Sequence, residues 1–309
     1  MLRQVAAFSP GHLTGLFYMQ DANKDPLLAG SLGAGFSILK GVTTTIEVKK
    51  SFDECSVTIN DKPNDAPVSH LVRELFFKEL GEKPIPIDIR HTIETPEGAG
   101  FGTSGGGALS LVLALNHLYG EPFNTIKAAQ IAHVAEVRCK TGLGTVMGES
   151  FGGFRILTKA GAPGIGATIS IPYDKDLYAL CIMFGPLSTK SALSDPDIRA
   201  RIMKAGEKYH SLLCKTPDIP SFLKYSRMFA EETALYSDKV RAALDTFTAK
   251  GINASMPMFG EGIFSILHKQ ELPEVIKVAQ EFCAGYPEGS VEVMVSSIAK
   301  RGAGIVSED

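Results

Sequence analysis

The stretch "TPEGAGFGTSGGGALSLVLALNHLYG", from Thr95 to Gly120, joins a glycine-rich loop directly to an apolar run. Six glycines stand at positions 98, 100, 102, 105, 106 and 107, whereas a turn needs one or two. Glycine lets backbone N–H groups approach an anion closely, and the first N–H groups of a helix lack partners within it. The stretch therefore predicts a loop that binds phosphate groups at the N-terminus of a helix over 104–118.

Two common nucleotide-binding motifs fit the glycine loop less well. The Walker A pattern GxxxxGK[S/T] does not occur in the chain. Gly100, Gly102 and Gly105 fit the dinucleotide pattern GxGxxG, but the sequence beyond the helix predicts a loop and another helix. A dinucleotide fold needs a second parallel strand that ends in an acid, so an oxidoreductase of that kind is disfavoured. A purely structural loop, which lets the helix pack against nearby backbone, remains an alternative.

Length and composition limit the classes of protein to which the chain can belong. The 309 residues suit one large domain or two smaller ones, and a hydrophobic content of 44% can form a sizeable core. A net charge of −3 favours neither nucleic acid nor an anionic membrane as a partner. The five cysteines are odd in number and have no CxxC spacing, which predicts free thiols and no structural zinc. We expect a cytoplasmic protein.

Periodicity along the chain predicts an α+β fold. Strand signals such as "GVTTTIEVKK" and "IPIDIRHTI" dominate the first half, which also contains predicted helices over 68–80 and 124–139. Helical segments follow at about 195–213, 220–236 and 238–250, and the end reads strand, helix, strand. We expect a boundary near residue 185, with one domain over 1–185 and a second over 186–309.

Three segments resemble the signatures of the GHMP kinase superfamily. "PEGAGFGTSGGGA" is similar to the second signature, and "FSPGHLTGLF" at 8–17 is similar to the first, with His12 where many members have lysine. "NASMPMFGEGIFSI" at 253–266 stands where the third signature belongs, in a degenerate form. Together, "SPGHLTGLF", "DPLLAGSLGAGFSI", "TGLGTV…GG" and "KAGAPGIGA" resemble the archaeal pantoate kinase branch.

The resemblance implies a fold and an activity. It implies an N-terminal domain like ribosomal protein S5 domain 2 and a ferredoxin-like C-terminal domain, with ATP and substrate between them. The implied reaction is ATP-dependent phosphorylation of the primary hydroxyl of pantoate to 4-phosphopantoate, a step in archaeal coenzyme A synthesis. The implied partners are this small molecule, ATP and Mg²⁺, together with a second copy of the chain in a homodimer.

The resemblance also assigns roles in phosphate and metal binding. Ser104 and Glu136 correspond to the Mg²⁺ ligands, and both offer the oxygen atoms that Mg²⁺ prefers. The alternative for Glu136 is an ordinary solvated glutamate on a helix face. The residues expected to hold the phosphates are Gly98, Gly100, Gly102, Thr103, Ser104, Gly105 and Gly106.

The catalytic group departs from the family pattern at Thr145. Many members place an aspartate there, to which orientation or deprotonation of the attacking hydroxyl is assigned, and threonine cannot be a base at neutral pH. Either the base is dispensable, because a loose transition state needs little early deprotonation, or another group replaces it. Glu149 is four residues on and faces the same side if this stretch is helical. His12 is a further candidate for positioning the hydroxyl or the γ-phosphate.

Pantoate is a small carboxylate, so its site should offer a cation and hydrogen-bond donors. Arg155 and Lys190 are the candidate cations, and for each the alternative is an ordinary surface charge. Ser31 and Ser37 are candidates for hydrogen bonds to the hydroxyls and the carboxylate.

Two other functions of this superfamily remain open. A mevalonate-type or mevalonate-3-phosphate kinase would use the same loop, and a phosphorylated substrate would require more cations around the site. A non-catalytic paralogue that only binds nucleotide is suggested by the absence of a carboxylate at Thr145.

Overall fold

The protein is α+β, as predicted, in a computed structural model that describes residues 4–49, 55–174, 176–186 and 195–306. Its strands are β1 (Gln4–Gln20), β2 (Gly30–Val48), β3 (Ser56–Ile59), β4 (Lys62–Pro63), β5 (Ile87–Ile93), β6 (Phe154–Lys159), β7 (Ala167–Ser170), β8 (Leu177–Pro186), β9 (Gly260–His268), β10 (Glu292–Ser297) and β11 (Gly304–Ile305). Its helices are α1 (Pro67–Leu80), α2 (Thr103–Leu118), α3 (Thr125–Cys139), α4 (Thr145–Phe151), α5 (Pro196–Lys215), α6 (Ile219–Thr233), α7 (Asp238–Ala249) and α8 (Leu272–Cys283).

A large sheet is built around the β1–β2 hairpin. Its strand order is β11-β1-β2-β5-β3-β4, and β6 pairs with both β2 and β7. The hairpin is longer than the strand signals in the sequence, "QVAAF" at 4–8 and "GVTTTIEVKK" at 41–50, predict. The pairing continues past Pro10 through register shifts at Pro10/Gly11 and Thr14/Leu16. A bulge accommodates the proline that interrupts the sequence signal.

Helix α2 follows the glycine loop and lies in the core. Every residue from 105 to 116 is buried, because this helix is apolar on nearly all its faces. Its N-cap is Gly102, at φ 70°, and no side chain caps its N-terminus. The first backbone N–H groups of α2 are therefore available to a ligand at the loop.

Three helix ends carry residues that are typical of such positions. The side chain of Asn124 caps α3 by accepting a hydrogen bond from the Lys127 backbone N–H at 2.8 Å. Gly81 ends α1 in the left-handed conformation, at φ 77°. Pro273 stands in the first turn of α8, where its missing N–H costs nothing.

A second sheet, ordered β10-β8-β9, forms the other part of the described chain. It begins at Leu177, inside the range that the sequence assigned to the first domain, because β8 pairs with β9 and β10. Strand β11 then returns to the large sheet beside β1. One apolar cluster joins Phe36 of β2 to Phe264 of β9, so the sheets share a core. The division of the chain into two domains stays a prediction.

Among the described helices, none combines the length and the apolar character needed to cross a membrane.

Candidate active site

A cavity of about 970 Å³ opens beside the glycine loop. Its walls come from β1, β2, the loop before α2, the C-terminal end of α3 and the segment that leads into α4. Many predicted site residues line it, namely His12, Ser31, Gly98, Gly100, Gly102, Thr103, Ser104, Gly105, Glu136 and Thr145. The fold thus brings segments that are far apart in sequence to one cavity.

The glycine loop has a backbone that only glycine adopts readily. Gly98, Gly100 and Gly102 have φ values of 71°, 83° and 70°. A Cβ atom on Gly100 would lie 2.8 Å from the Met258 carbonyl oxygen, so any side chain there would collide with backbone. The segment that resembles the third signature therefore packs directly on the loop. The cradle that results suits a polyphosphate.

Ser104 and Glu136 meet at the edge of the cavity, as the resemblance implied. The Ser104 hydroxyl donates to Glu136 Oε1 at 2.5 Å, and the Thr141 hydroxyl donates to the same oxygen at 2.6 Å. Burial raises the pKa of Glu136, and the hydrogen bonds from Ser104 and Thr141 act in the opposite direction. Two side-chain oxygens this close, beside a phosphate cradle, fit the donor set of a Mg²⁺ ion.

His12 is buried beside α4 and is neutral at physiological pH. Burial lowers its pKa to about 4. Its Nδ1 lies 3.1 Å from the Ser37 hydroxyl, which donates to the Gly148 carbonyl at 3.4 Å. This arrangement places the imidazole proton on Nδ1 and leaves Nε2 as an acceptor. The His12 backbone N–H also donates to the Phe101 carbonyl at 2.9 Å, which ties β1 to the glycine loop.

Thr145 and Glu149 lie one turn apart on α4, but only Thr145 lines the cavity. Glu149 is fully buried, and neither carboxylate oxygen has a hydrogen-bond partner among the described residues. Burial raises its pKa well above the usual value, and the nearby Glu136 raises it further. The side chain proposed as a substitute base is thus sealed beneath the loop.

The predicted substrate residues are distributed unevenly. Ser31 lines the cavity, whereas Ser37 lies behind His12. Arg155 is not among the residues that line the cavity in the described part of the chain. Its Nε donates to the Gly152 carbonyl at 2.9 Å, and its guanidinium lies 5.3 Å from the centre of the Phe151 ring. Lys190 lies outside the described residues.

Sequence reasoning missed the cations that line the cavity, and two of them, Lys24 and Arg199, lie outside the glycine loop and α3. Lys24 lies in the turn between β1 and β2, and Arg199 lies in the first turn of α5. The Arg199 guanidinium pairs with the Asp21 carboxylate at 2.5 Å and contacts the Met19 sulfur at 3.0 Å. No local pattern marks these residues, because only the packing of α5 on the hairpin brings them together.

The arrangement can hold a polyphosphate at the N-terminus of α2, with a divalent cation at Ser104 and Glu136 and a small anionic molecule in the remaining cavity. Comparison with known proteins agrees with this chemistry. Residues 68–153 match the family model described as the GHMP kinases N terminal domain.

Curated relatives are similar along nearly the whole chain. A protein named pantoate kinase, from Thermococcus kodakarensis, is 35% identical over 277 residues, which is 86% of this chain and 89% of the relative. Another pantoate kinase, from Methanocaldococcus jannaschii, is 32% identical over 88% of this chain and 96% of the relative. A solved structure titled as a phosphotransferase related to the CoA biosynthesis pathway is 29% identical, with a TM-score of 0.84 over 98% of both chains.

Proposed function

This chain belongs to the pantoate kinases of the GHMP kinase superfamily, and we propose that it transfers the γ-phosphoryl group of ATP to the primary hydroxyl of pantoate. The product is 4-phosphopantoate, an intermediate on the route to coenzyme A. The observation that carries this proposal is the uncapped N-terminus of α2, with Ser104 and Glu136 side by side at its edge.

The loop and α2 bind the phosphates of ATP in this proposal. The residues of the cradle are Gly98, Gly100, Gly102, Thr103, Ser104 and Gly105, which offer backbone N–H groups and two hydroxyls. Gly106, also expected from the sequence, does not line the cavity, and its N–H donates to the Gly102 carbonyl at 2.9 Å. The partial positive charge at the N-terminus of α2 adds to this attraction. Phosphoryl transfer depends mainly on positioning and charge neutralisation, both of which a rigid cradle of N–H groups supplies.

Ser104 and Glu136 would hold a Mg²⁺ ion at the phosphates. When bound, the ion neutralises charge on the phosphate oxygens and helps to align the transferred group. Mg²⁺ is usually bound through one or two protein oxygens plus phosphates and water, so these two side chains suffice. The hydrogen bond from Thr141 fixes the Glu136 carboxylate in the orientation that the site requires.

The acceptor hydroxyl is positioned and not strongly deprotonated. Thr145 lines the cavity where many superfamily members have aspartate, and its hydroxyl can orient the acceptor but cannot take its proton at neutral pH. Neutral His12, held by Ser37, supplies an acceptor nitrogen on the same side of α4. Because the transition state is loose, the proton can leave late, to a phosphate oxygen.

Pantoate recognition uses the part of the cavity away from the loop. Ser31 donates to a substrate oxygen, and the carboxylate pairs with a cation. We assign this cation to Arg199 or Lys24 ahead of Arg155, because Arg199 and Lys24 line the cavity. Lys190 keeps its proposed role as a second candidate from the sequence.

A second candidate substrate is a phosphorylated acceptor such as mevalonate 3-phosphate. The observation that favours it is the number of cationic side chains on the cavity, namely Lys24, Arg138, Lys140 and Arg199. A phosphate and a carboxylate on one substrate would use more of these charges than pantoate does.

The test is a substrate panel. Purified protein with ATP and Mg²⁺ would receive pantoate, mevalonate, mevalonate 3-phosphate or homoserine, with ADP release recorded. We expect release with pantoate alone. Release with mevalonate 3-phosphate would replace the proposed substrate, and ATP binding without turnover of any acceptor would indicate a non-catalytic paralogue.

We also propose that the chain forms a homodimer, as its resemblance to the pantoate kinase branch implies. Sedimentation analysis of the purified protein at micromolar concentration tests this, and a monomer would contradict it.

A further inference from the structure

Glu149 is a buried acid that the proposed mechanism does not use. Its side chain has no accessible surface, and both carboxylate oxygens lack hydrogen-bond partners among the described residues. Glutamate is almost never fully buried without a partner, because an isolated charge in the interior is very costly. Its position therefore calls for a physical cause.

The carboxyl group lies directly beneath the phosphate loop. A Cβ atom on Gly102 would be 2.7 Å from Glu149 Oε1, and one on Gly105 would be 3.0 Å from Oε2. The methyl group of Thr145 also lies against Gly102 and Gly105. Glu149 thus occupies the space between α4 and the first turn of α2, and only glycine at 102 and 105 leaves room for it.

No cationic side chain of the described residues compensates this acid. From α3, Glu136 acts on its pKa with the same sign of charge, and no cation of the described chain contributes. From β1, the buried imidazole of His12 packs against Gly148 and is neutral. From the segment before β11, the Ala303 backbone N–H donates to the Glu149 backbone carbonyl at 3.0 Å and not to its carboxyl group.

We propose that Glu149 is an uncharged carboxylic acid that positions the glycine loop and keeps the floor of the phosphate site free of negative charge. Glu149 is a positioning residue. It does not replace the aspartate that many superfamily members have at the position of Thr145. The inference rests on the proposed binding of ATP phosphates by this loop.

The reason is electrostatic. An ionised carboxylate in contact with Gly102 and Gly105 would repel the phosphates across a few ångströms of low-dielectric interior. It would also compete with them for the first N–H groups of α2. A protonated acid does neither. Bound ATP therefore favours the protonated form, and ionisation of Glu149 at high pH must weaken ATP binding.

The first experiment measures this linkage. Calorimetry would give the dissociation constant of Mg·ATP between pH ~7.5 and ~9.5, where the phosphates, with a second pKa of about 6, are already ionised. The proteins are the wild type, Glu149→Gln, and Glu274→Gln as a matched control on the exposed face of α8. We expect the wild type and the control to lose at least ~threefold in affinity over this range and Glu149→Gln to stay within ~twofold.

The second experiment separates positioning from base catalysis. If Glu149 were the general base, Glu149→Gln would lower kcat by about 10²- to 10⁴-fold while ATP still bound. The proposal expects kcat within ~threefold of the wild type at pH ~7.5, because an amide is as uncharged as the protonated acid. A large loss of kcat with ATP affinity retained would overturn it.

The proposal can still be tested if the Glu149→Gln variant does not fold. If Glu149→Gln does not give a cooperative thermal transition, Glu149→Met supplies a second uncharged side chain of similar length, and it is held to the same pH profile. A loss of ATP affinity over this range that is equal in the wild type and in Glu149→Gln overturns this inference alone. Wild-type protein that binds no ATP at any pH overturns the proposed function instead.

Discussion

Two buried glutamates, Glu136 and Glu149, flank the same glycine loop in different surroundings. Glu136 lines the cavity and receives hydrogen bonds from Ser104 and Thr141. Glu149 lies beneath the loop, touches Gly102 and Gly105, and has no partner among the described residues. Burial raises the pKa of both. Hydrogen-bond donors and access to the cavity, and not residue type, therefore decide which acid can bind a metal ion as a carboxylate.

The largest effect should follow from removing the charge of the cavity-lining acid. We expect Glu136→Gln to lower kcat/KM by about 100-fold, because it removes the negative charge from one of the two side chains proposed for Mg²⁺. Steady-state kinetics at saturating ATP over a range of Mg²⁺ concentrations would measure this. If the variant had wild-type kinetics at every Mg²⁺ concentration, Glu136 would not be a metal ligand, and the two glutamates would not differ in this role.

The next effect concerns the donor to Glu136. We expect Ser104→Ala to lower kcat/KM at least ~tenfold, or more than ~1.4 kcal/mol in the barrier, since a metal ligand and a donor are lost together. The same kinetic assay applies. Ser110→Ala, in the same helix but away from the cavity, is a suitable comparison for helix effects. Equal losses in the two variants would argue against a metal role for Ser104.

The protonation state of Glu149 should also affect the stability of the folded protein. The folded state holds the Glu149 proton more tightly than the unfolded chain, so wild-type stability falls as pH rises from about 4.3 towards the raised pKa. Glu149→Gln cannot ionise and should lose this part of the pH dependence. We expect its Tm relative to the wild type to rise by at least ~2 °C between pH ~5 and ~8.

Differential scanning fluorimetry would measure this shift. Glu136 and His12 titrate in both proteins, so their contributions cancel in the difference. A constant difference in Tm across this pH range would show that Glu149 is ionised in the folded protein, as in the unfolded chain.

The smallest effect is expected from placing an acid at position 145, one helical turn before Glu149. Thr145→Asp places a carboxylate on the cavity wall, where many superfamily members have one. We expect kcat to change by less than ~threefold, because a loose transition state needs little early deprotonation. Single-turnover kinetics would measure the chemical step. A large gain would show that a missing base limits the natural protein.

The glycine-rich loop and α2 were predictable from sequence because their signals are local. Six glycines before an apolar run predicted the loop and α2, and Asn124 predicted the start of α3. The pairing of Ser104 with Glu136 was implied by resemblance, and the structure places the two side chains in contact.

Other residues depend on packing that no local pattern reports. Arg155 was proposed for the substrate, yet its guanidinium packs on Phe151, while Arg199 and Lys24 line the cavity. Their positions depend on how α5 packs on the β1–β2 hairpin. Arg199 and Met19, which meet at this contact, are 180 residues apart in the sequence. Such contacts are set by the whole core and not by neighbouring residues.

The resemblance to a known family supplied the kind of chemistry, and local sequence patterns predicted the class of fold, the glycine-rich loop and most helix boundaries. These depend on backbone preferences and periodicity, which act over a few residues. The extent of β1 and β2, the start of the three-stranded sheet and the acid that reaches the cavity depend on packing between distant segments. Strand pairing and desolvation arise from such packing, so Glu149 is buried without a partner among the described residues because α4 packs on α2.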